Sequence, residues 1–523
     1  MTETKVMDQL RALDPKTWGA VVATIAVIMF MATFLSKKSM KFPPGPPNYP
    51  IVGAMFSMGP ELHRVFSSLA DKYGPIMYFK LGVLPVVVIS SAEIAEELLK
   101  QRDVEFASRA HTQILYSTAR YFGFRAQGIG FAANTPILQR LRRVSTTELL
   151  SHSKIMSANS VKIRNEELGA MVTEINRISQ KGEPVELAKI LHGVTMNIMC
   201  RGLFGKRYYG SDIPATKELM EFKHLMIDMT ATAAKLNISD LLPALRSLDP
   251  QGLTKEFAEL HARQRKILSE ILEDHKKNRK SSPEQHDFVD TLLSLEGDEK
   301  LTDDQMMATL NDLIIGGTDT AATACTWTFV ELLRHPDILS KLYAEVESAA
   351  GKNRAVDEAD VANLPYLQAV AKEILRMYPP ATITIPRMNE HSTTKLGGYD
   401  IPINSSVFVN LWAIGRDPAN WEKPGEFIPE RFLNSDIQGI GTNFQYLPFG
   451  AGRRKCPGIL MGQLMMNMTI ATLLQAFDFK PPHGKKPSEV SNRDLYGMLL
   501  RPKDPFFIDA KLKVPLDIFG DYK

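Results

Sequence analysis

The stretch FGAGRRKCPG, residues 449–458, is the part of the sequence that says most about the fold of this chain. It holds one cysteine, Cys456, in a short basic loop between glycines, and an apolar run follows it. Glycine permits tight turns that residues with a Cβ resist, and Pro457 fits the first turn of a helix. A cysteine in front of that turn faces free N–H groups, which favour its thiolate. The stretch therefore predicts a thiolate ligand for a metal, although a lone cysteine is more often a small buried hydrophobe.

The spacing of this stretch resembles the haem-thiolate signature of the cytochrome P450 family, Phe-x-x-Gly-x-Arg-x-Cys-x-Gly. The resemblance implies that Cys456 is the axial ligand of haem iron and that Phe449 packs near its sulfur. It also implies that Arg454 meets a haem propionate. The implied cofactor is haem b, iron protoporphyrin IX.

A second motif lies in a long predicted helix, which opens with the capping box Thr302–Gln305 and continues to about Arg334. Gly316 and Gly317 each cost about 1 kcal/mol relative to alanine in a helix. We therefore expect a weakened turn there, and a crossing helix packed on the glycines is the alternative.

The run GGTDT, residues 316–320, is similar to the family motif Ala/Gly-Gly-x-Asp/Glu-Thr. In the family this turn lies over the haem and makes room for dioxygen. The resemblance assigns catalytic roles to Asp319 and Thr320, which would organise the waters that protonate the distal oxygen.

Further motifs agree in type and order. Glu373 and Arg376 stand three apart and share one helix face. The resemblance joins them to Arg431 in a structural ion network that fixes the cysteine loop. It also places Arg387 and Arg142 at the haem propionates, although the tryptophan of many relatives is Leu138 here.

The amino-terminal region predicts a membrane anchor, because residues 18–35 carry no charge and are long enough to span a bilayer. A cleaved signal peptide is the alternative, but the run is long and its amino flank is partly acidic. We expect a lumenal tail at 1–17, a transmembrane helix at 18–35 and a basic, proline-rich hinge at 36–50. Residues 51–523 would form the catalytic domain. Resemblance to membrane-bound members implies the endoplasmic reticulum membrane, with this domain facing the cytosol.

Composition narrows the partners. A net charge of +3 predicts no nucleic-acid partner, and three widely spaced cysteines favour a reducing compartment over a disulfide scaffold. No dinucleotide fingerprint is apparent, so the resemblance implies that NADPH acts through a separate NADPH–cytochrome P450 reductase. Basic residues near the cysteine are candidates for its docking face: Arg140, Arg142, Arg143, Arg453 and Lys455.

The expected fold is mainly α, a single cytochrome P450 domain with a small β-rich lobe. The expected function is a haem-thiolate monooxygenase of secondary or specialised metabolism, closest to the large plant group of the family. It would insert one atom of dioxygen into a small, largely apolar organic substrate at a membrane. The alternatives are a dioxygen-independent isomerase or dehydratase of the same fold, and a non-catalytic haem-binding membrane protein. By family position, the substrate pocket would include Tyr116, Phe122, Gly316, Ile383 and Met498.

Overall fold

The computed structural model describes residue 24 and residues 40–210, 213, 216–278, 286–439 and 441–520. The predicted lumenal tail at 1–17, the predicted transmembrane helix at 18–35 except residue 24, and the start of the hinge therefore lie outside the described residues.

Helices dominate the described chain, as the mainly-α prediction requires, and pack around one large apolar core. The α-helices are Leu62–Tyr73, Ala92–Glu96, Tyr116–Tyr121, Pro136–Ser145, His152–Ile155, Ala158–Ser179, Leu187–Phe204, Lys217–Ala233, Ile238–Leu241, Leu253–Lys277, Phe288–Leu293, Asp303–Arg334, Pro336–Ala350, Glu358–Ala362, Pro365–Met377, Leu411–Ile414 and Ile459–Ala476.

The β-rich lobe is built on a five-stranded sheet. Its strands, in spatial order, are Ile76–Leu81, Leu84–Ile89, Ser406–Val409, Arg387–Met388 and Ser108–Arg109. The first two strands form a hairpin, with Ile76 opposite Ile89. Ser406–Val409 pairs parallel to Leu84–Ile89 and antiparallel to Arg387–Met388. Smaller sheets use Val185–Glu186, Thr394–Leu396, Tyr399–Ile401, Phe477–Lys480, Asp494–Leu495, Arg501–Pro502 and Phe507–Leu512.

The helix Asp303–Arg334, called the central helix below, begins at the predicted capping box of Thr302 and Gln305. It runs without a break through Gly316 and Gly317, so the expected weakened turn is not observed. A Cβ at Gly317 would lie only 2.6 Å from Cε of Met199, which belongs to a helix packed along the central helix. The alternative of a crossing helix therefore explains Gly317.

The two glycines are expected to respond differently to alanine. No atom lies within 4 Å of a Cβ built on Gly316, so Gly316→Ala should raise stability by about 1 kcal/mol, the helix-propensity difference. In Gly317→Ala the contact with Met199 offsets that gain. The measurement is the urea midpoint of each purified variant, and an equal shift in both would contradict the packing explanation.

The helix Ile459–Ala476, which follows the cysteine, is the one helix within the described ranges that is long and apolar enough to cross a membrane. It is 67% buried inside the fold and packs against the central helix. Its apolar composition is therefore accounted for by core packing.

The proline-rich run after the predicted anchor forms no helix in the described residues 40–50, and it packs on the sheet. Pro43 and Pro46 are buried, the Phe42 ring stacks on Tyr78 at 4.9 Å, and the Tyr78 N–H donates to the Pro44 carbonyl. The folded body therefore includes these prolines.

Candidate active site

The cysteine loop, residues 449–458, is a tight turn that ends where the helix Ile459–Ala476 begins. The Cys456 N–H donates to the Phe449 carbonyl at 2.9 Å. Gly452 has a φ of +71°, and a Cβ there would lie 2.3 Å from the Leu99 carbonyl oxygen, so only glycine fits. The helix begins at Ile459, and Pro457 lies in the turn before it rather than in its first turn.

The Cys456 thiol is accessible from a cavity but shielded by the surrounding protein. Burial raises the pKa of this thiol, while the Gly458 N–H and the Arg142 charge lower it by less. The Gly458 N–H therefore favours the thiolate, as predicted, but desolvation outweighs this contribution and raises the pKa overall. A cation at the sulfur would be needed to favour the ionised form.

The cavity has a volume of about 250 Å³ and joins the two motifs found in the sequence. Phe449 and Cys456 from the cysteine loop line it together with Gly316 and Thr320 from the central helix. Most of the remaining wall is apolar, with Phe122, Phe131, Leu313, Ile385, Met461 and Met498 among the lining residues.

Three of the five predicted pocket residues line this cavity: Phe122, Gly316 and Met498. The other two do not. The Tyr116 ring lies under the Arg246 guanidinium at 3.7 Å, and Ile383 packs against the core of the β-rich lobe. Both predictions rested on family position, which does not report the neighbours against which a side chain packs.

Four arginines gather beside the cavity, and three of them were predicted. Arg387 donates to the Asp103 carboxylate at 2.8 Å and to the Ala451 carbonyl at 2.7 Å. Arg142 donates to the Lys455 carbonyl at 2.7 Å. Arg454 donates to the carbonyls of Ala107, Ile129 and Ala132.

The fourth arginine, Arg109, was not predicted. It sits directly opposite Arg387 in the sheet and donates to the carbonyls of Gly130 and Ile385. Nothing in the local sequence marks it, because its role depends on a strand pairing with a distant segment.

Burial lowers the pKa of all four guanidinium groups, that of Arg454 to about 9. Repulsion from neighbouring arginines adds to this for Arg109, Arg387 and Arg454. Among the described residues, Asp103 holds the one carboxylate in ion-pair contact with the cluster. The cluster therefore carries excess positive charge, which an anionic group would offset.

These residues fit a haem. Arg109 and Arg387, two buried arginines paired on neighbouring strands, suit a group with two carboxylates. A cysteine sulfur suits iron. Leu138, at the usual tryptophan position, is buried and has no hydrogen-bond donor. Arg109 instead adds a fourth guanidinium to the arginine cluster. A bound haem would supply an iron that activates dioxygen.

The predicted catalytic pair splits between two environments. Thr320 lines the cavity, and its hydroxyl donates to the Gly316 carbonyl at 2.8 Å. Asp319 faces away from it, with His192 Nδ1 2.7 Å from Oδ1 and Arg501 donating to Oδ2 at 2.7 Å. Burial raises the pKa of Asp319, but His192 and Arg501 outweigh it and hold the pKa below its usual range. Sequence reasoning missed both partners, which lie far away along the chain.

The structure brings the three predicted network residues together. Arg376 donates to both carboxylate oxygens of Glu373, at 2.7 and 2.8 Å, and Arg431 donates to one of them at 3.0 Å. The link to the loop is Tyr446. Its hydroxyl donates to the Lys372 carbonyl, and its ring contacts those of Trp421 and Phe432.

Comparisons with known proteins agree with this geometry. The family model "Cytochrome P450" matches residues 43–509. A flavonoid 3'-monooxygenase of Arabidopsis thaliana is 36% identical over 92% of this chain and 93% of its own length. A costunolide synthase of Tanacetum parthenium is 36% identical over 91% of this chain and 94% of its own.

The fold has solved counterparts. A zebra fish cytochrome P450 structure with progesterone superposes with a TM-score of 0.73 at 26% identity. It covers 87% of this chain and all of that one. Fold, cysteine loop and central helix, together with a family match over most of the chain, lead to one conclusion: the chain belongs to the cytochrome P450 family of monooxygenases.

Proposed function

We propose that this protein is a haem b monooxygenase that transfers one atom of dioxygen to a small, largely apolar organic substrate. NADPH provides the electrons through a separate NADPH–cytochrome P450 reductase. The observation that carries the proposal is the shared cavity of Cys456, Gly316 and Thr320, because it brings an iron ligand and a hydroxyl to one apolar space.

The chain's own residues would divide the work around a bound haem. Cys456 would hold the iron, and Phe449 would pack beside it. Arg109, Arg142, Arg387 and Arg454 would hold the propionates. Glu373, Arg376 and Arg431 would fix the cysteine loop without taking part in chemistry.

Proton handling falls to the central helix. The Thr320 hydroxyl donates its hydrogen bond to the Gly316 carbonyl, so its oxygen can accept a hydrogen bond from a group in the cavity. Asp319 is held ionised and connects outward to Arg501, whose side chain is 48% exposed. The pair would therefore pass protons from outside to the cavity, where breaking an O–O bond consumes them.

The substrate would be a compact apolar molecule of specialised metabolism, since most of the cavity wall is apolar. Relatives named flavonoid 3'-monooxygenase, costunolide synthase and iridoid oxidase support this class. Their names span several kinds of molecule, so they indicate a class and not one compound.

The setting would be the endoplasmic reticulum membrane. Residues 18–35 would be its transmembrane helix, residues 1–17 a lumenal tail and residues 36–50 the hinge, with the catalytic domain on the cytosolic side. Arg453 and Lys455 are exposed in the cysteine loop and would offer positive charge to the reductase. The affinity between the two proteins would weaken as salt rises.

Turnover tests the reaction class. The protein reconstituted with reductase should consume NADPH and dioxygen and release a product that carries one oxygen from dioxygen, traced with ¹⁸O₂. Turnover that needs neither NADPH nor dioxygen would instead establish an isomerase or dehydratase. A haem-loaded protein inert to metabolite extracts of its source would support a non-catalytic role.

Thr320→Ala should keep haem and the thiolate-type ferrous–CO band but lose coupling. We expect product per NADPH to fall about tenfold or more, with hydrogen peroxide in its place, because the variant lacks the cavity hydroxyl. Thr326→Ala is a matched control, since Thr326 makes the same kind of bond, to the Ala322 carbonyl, in the buried core. Full coupling in Thr320→Ala would refute the role of its hydroxyl.

A further inference from the structure

Asp312 is a carboxyl group on the central helix that the mechanism above does not use. It lines the cavity, two turns before Thr320. Its partners are main-chain N–H groups: Gly130 donates to Oδ2 at 2.9 Å, and Ile129 donates as well. A buried carboxyl that binds backbone can hold a loop in place.

The glycine segment, residues 128–130, is shaped to receive this carboxyl. A Cβ on Gly128 would lie 2.2 Å from Asp312 Oδ2, and one on Gly130 would lie 3.3 Å from Oδ1. The carboxyl thus rests against bare backbone, in a seat that a side chain at 128 would fill.

The chain leading into the glycine segment is strained. Phe124, Arg125 and Ala126 have φ values of +48°, +59° and +60°, a region that residues with a Cβ rarely adopt. Three such residues in a row persist only where other contacts hold the segment. The bonds to Asp312 are contacts of this kind.

The other side of the same backbone holds two of the cavity arginines. The Gly130 carbonyl accepts from Arg109 Nε at 3.1 Å, and the Ile129 carbonyl accepts from Arg454 at 3.3 Å. Asp312 binds N–H groups of these two residues while the arginines bind their carbonyls. A shift of the glycine segment would therefore move both guanidinium groups.

We propose that Asp312 is a positioning residue: it latches the glycine segment over the cavity and thereby aims Arg109 and Arg454 at the anionic group bound there. The aiming half of this proposal rests on the proposed haem site. The latching half rests on the contacts of Asp312 alone.

The latch should respond to pH. Burial raises the pKa of Asp312 to about 7, against the opposing effect of the two N–H bonds. An opened segment admits water and returns the pKa toward its ordinary, lower value. The closed form thus binds the proton more tightly, so closure is favoured most at low pH and is progressively lost as pH rises to about 7, above which both forms are ionised.

Other charged or titratable groups touch the same region. Arg109 and Arg454 bind the carbonyl side of the segment. His261, on the helix Leu253–Lys277, contacts the Phe124 ring at 4.9 Å, and burial lowers its pKa.

Amide hydrogen exchange of the full-length, haem-loaded protein tests the latch without turnover. Protection of peptides covering residues 122–135, corrected for intrinsic exchange, should fall in the wild type as pH rises from 5 to 7 and then level off. Asp312→Ala removes the acceptor oxygens and cannot ionise, so we expect protection lowered roughly tenfold or more and no titration over this range. Asp303→Asn, an exposed partner of Lys276 on the same helix, should match the wild type.

Gly128→Ala disturbs the same latch from the loop side and decides the matter if Asp312→Ala does not fold. It should also lower protection of residues 122–135. Unchanged protection in whichever variants fold, or wild-type protection that rises with pH, would overturn the latch.

Haem transfer to apomyoglobin tests the aiming half. Release should be severalfold faster in Asp312→Ala and Gly128→Ala than in Asp303→Asn. Lost protection with unchanged release would overturn the aiming of the arginines. A protein that shows the exchange pattern yet makes no oxygenated product would refute the proposed function and leave the latch standing.

Discussion

Cys456→Ala is expected to abolish the thiolate-type band in the ferrous–CO difference spectrum and to reduce oxygenation by about 10³-fold or more. Alanine has no atom that can bind iron, and the cysteine loop offers no substitute ligand: its other side chains are Phe449, Ala451, three basic residues and a proline. Because each tenfold in rate corresponds to about 1.4 kcal/mol, this is a loss of at least about 4 kcal/mol of transition-state stabilisation. The spectrum and the rate of product formation are measured on the same preparation.

A second cysteine provides the control. Cys325 is fully buried in the central helix, away from the cavity lining, and burial raises the pKa of its thiol to about 12. Cys325→Ala removes a thiol of the same size from the core and should keep both the band and activity. A thiolate-type band that survives in Cys456→Ala would show that another group binds the iron.

Part of the site could be predicted from sequence because its geometry is local. The turn that holds Cys456 depends on Gly450, Gly452 and a following helix, all within a few residues. The start of the central helix likewise depends on its capping box, Thr302 and Gln305. Such features need only the chain's own backbone preferences, and the structure has them at the predicted places.

The rest of the site depends on contacts between distant segments. Arg109 matters because its strand pairs with Arg387. Asp319 is turned toward His192 and Arg501 because three separate elements meet there. Periodicity and spacing do not report which strands pair or which helices cross, so a single sequence without relatives aligned to it cannot supply these partners.

Burial produced the remaining differences. The loop around Cys456 has the donors that favour a thiolate, yet desolvation dominates and raises the thiol's pKa. Gly317 was expected to weaken a helix, but its missing side chain instead accommodates Met199. In both cases the local effect of the residue was the predicted one, and the packing of its neighbours outweighed that effect.

Glu373→Ala is expected to be the most destabilising single change outside the cavity. The Glu373 carboxylate is fully buried, and it accepts from Arg376, from Arg431 and from the Ile428 N–H. Its removal leaves two guanidinium groups in the core without their anion. Breaking a buried ion pair in this way costs about 3–5 kcal/mol, a large share of the 5–15 kcal/mol by which a domain is usually stable. The measurement is the urea unfolding free energy, with haem retention followed in parallel.

Glu430→Gln is the matched control for that change. Glu430 lies one residue before Arg431 and pairs with Lys341 at 2.7 Å, but both side chains are about half exposed. Water already solvates these charges, so their separation should change stability little. If Glu373→Ala were as mild as Glu430→Gln, the buried network would not be what holds the cysteine loop. If Glu373→Ala loses haem while its unfolding free energy stays at the wild-type value, the network acts through Tyr446 on the position of Cys456 and not on the core as a whole.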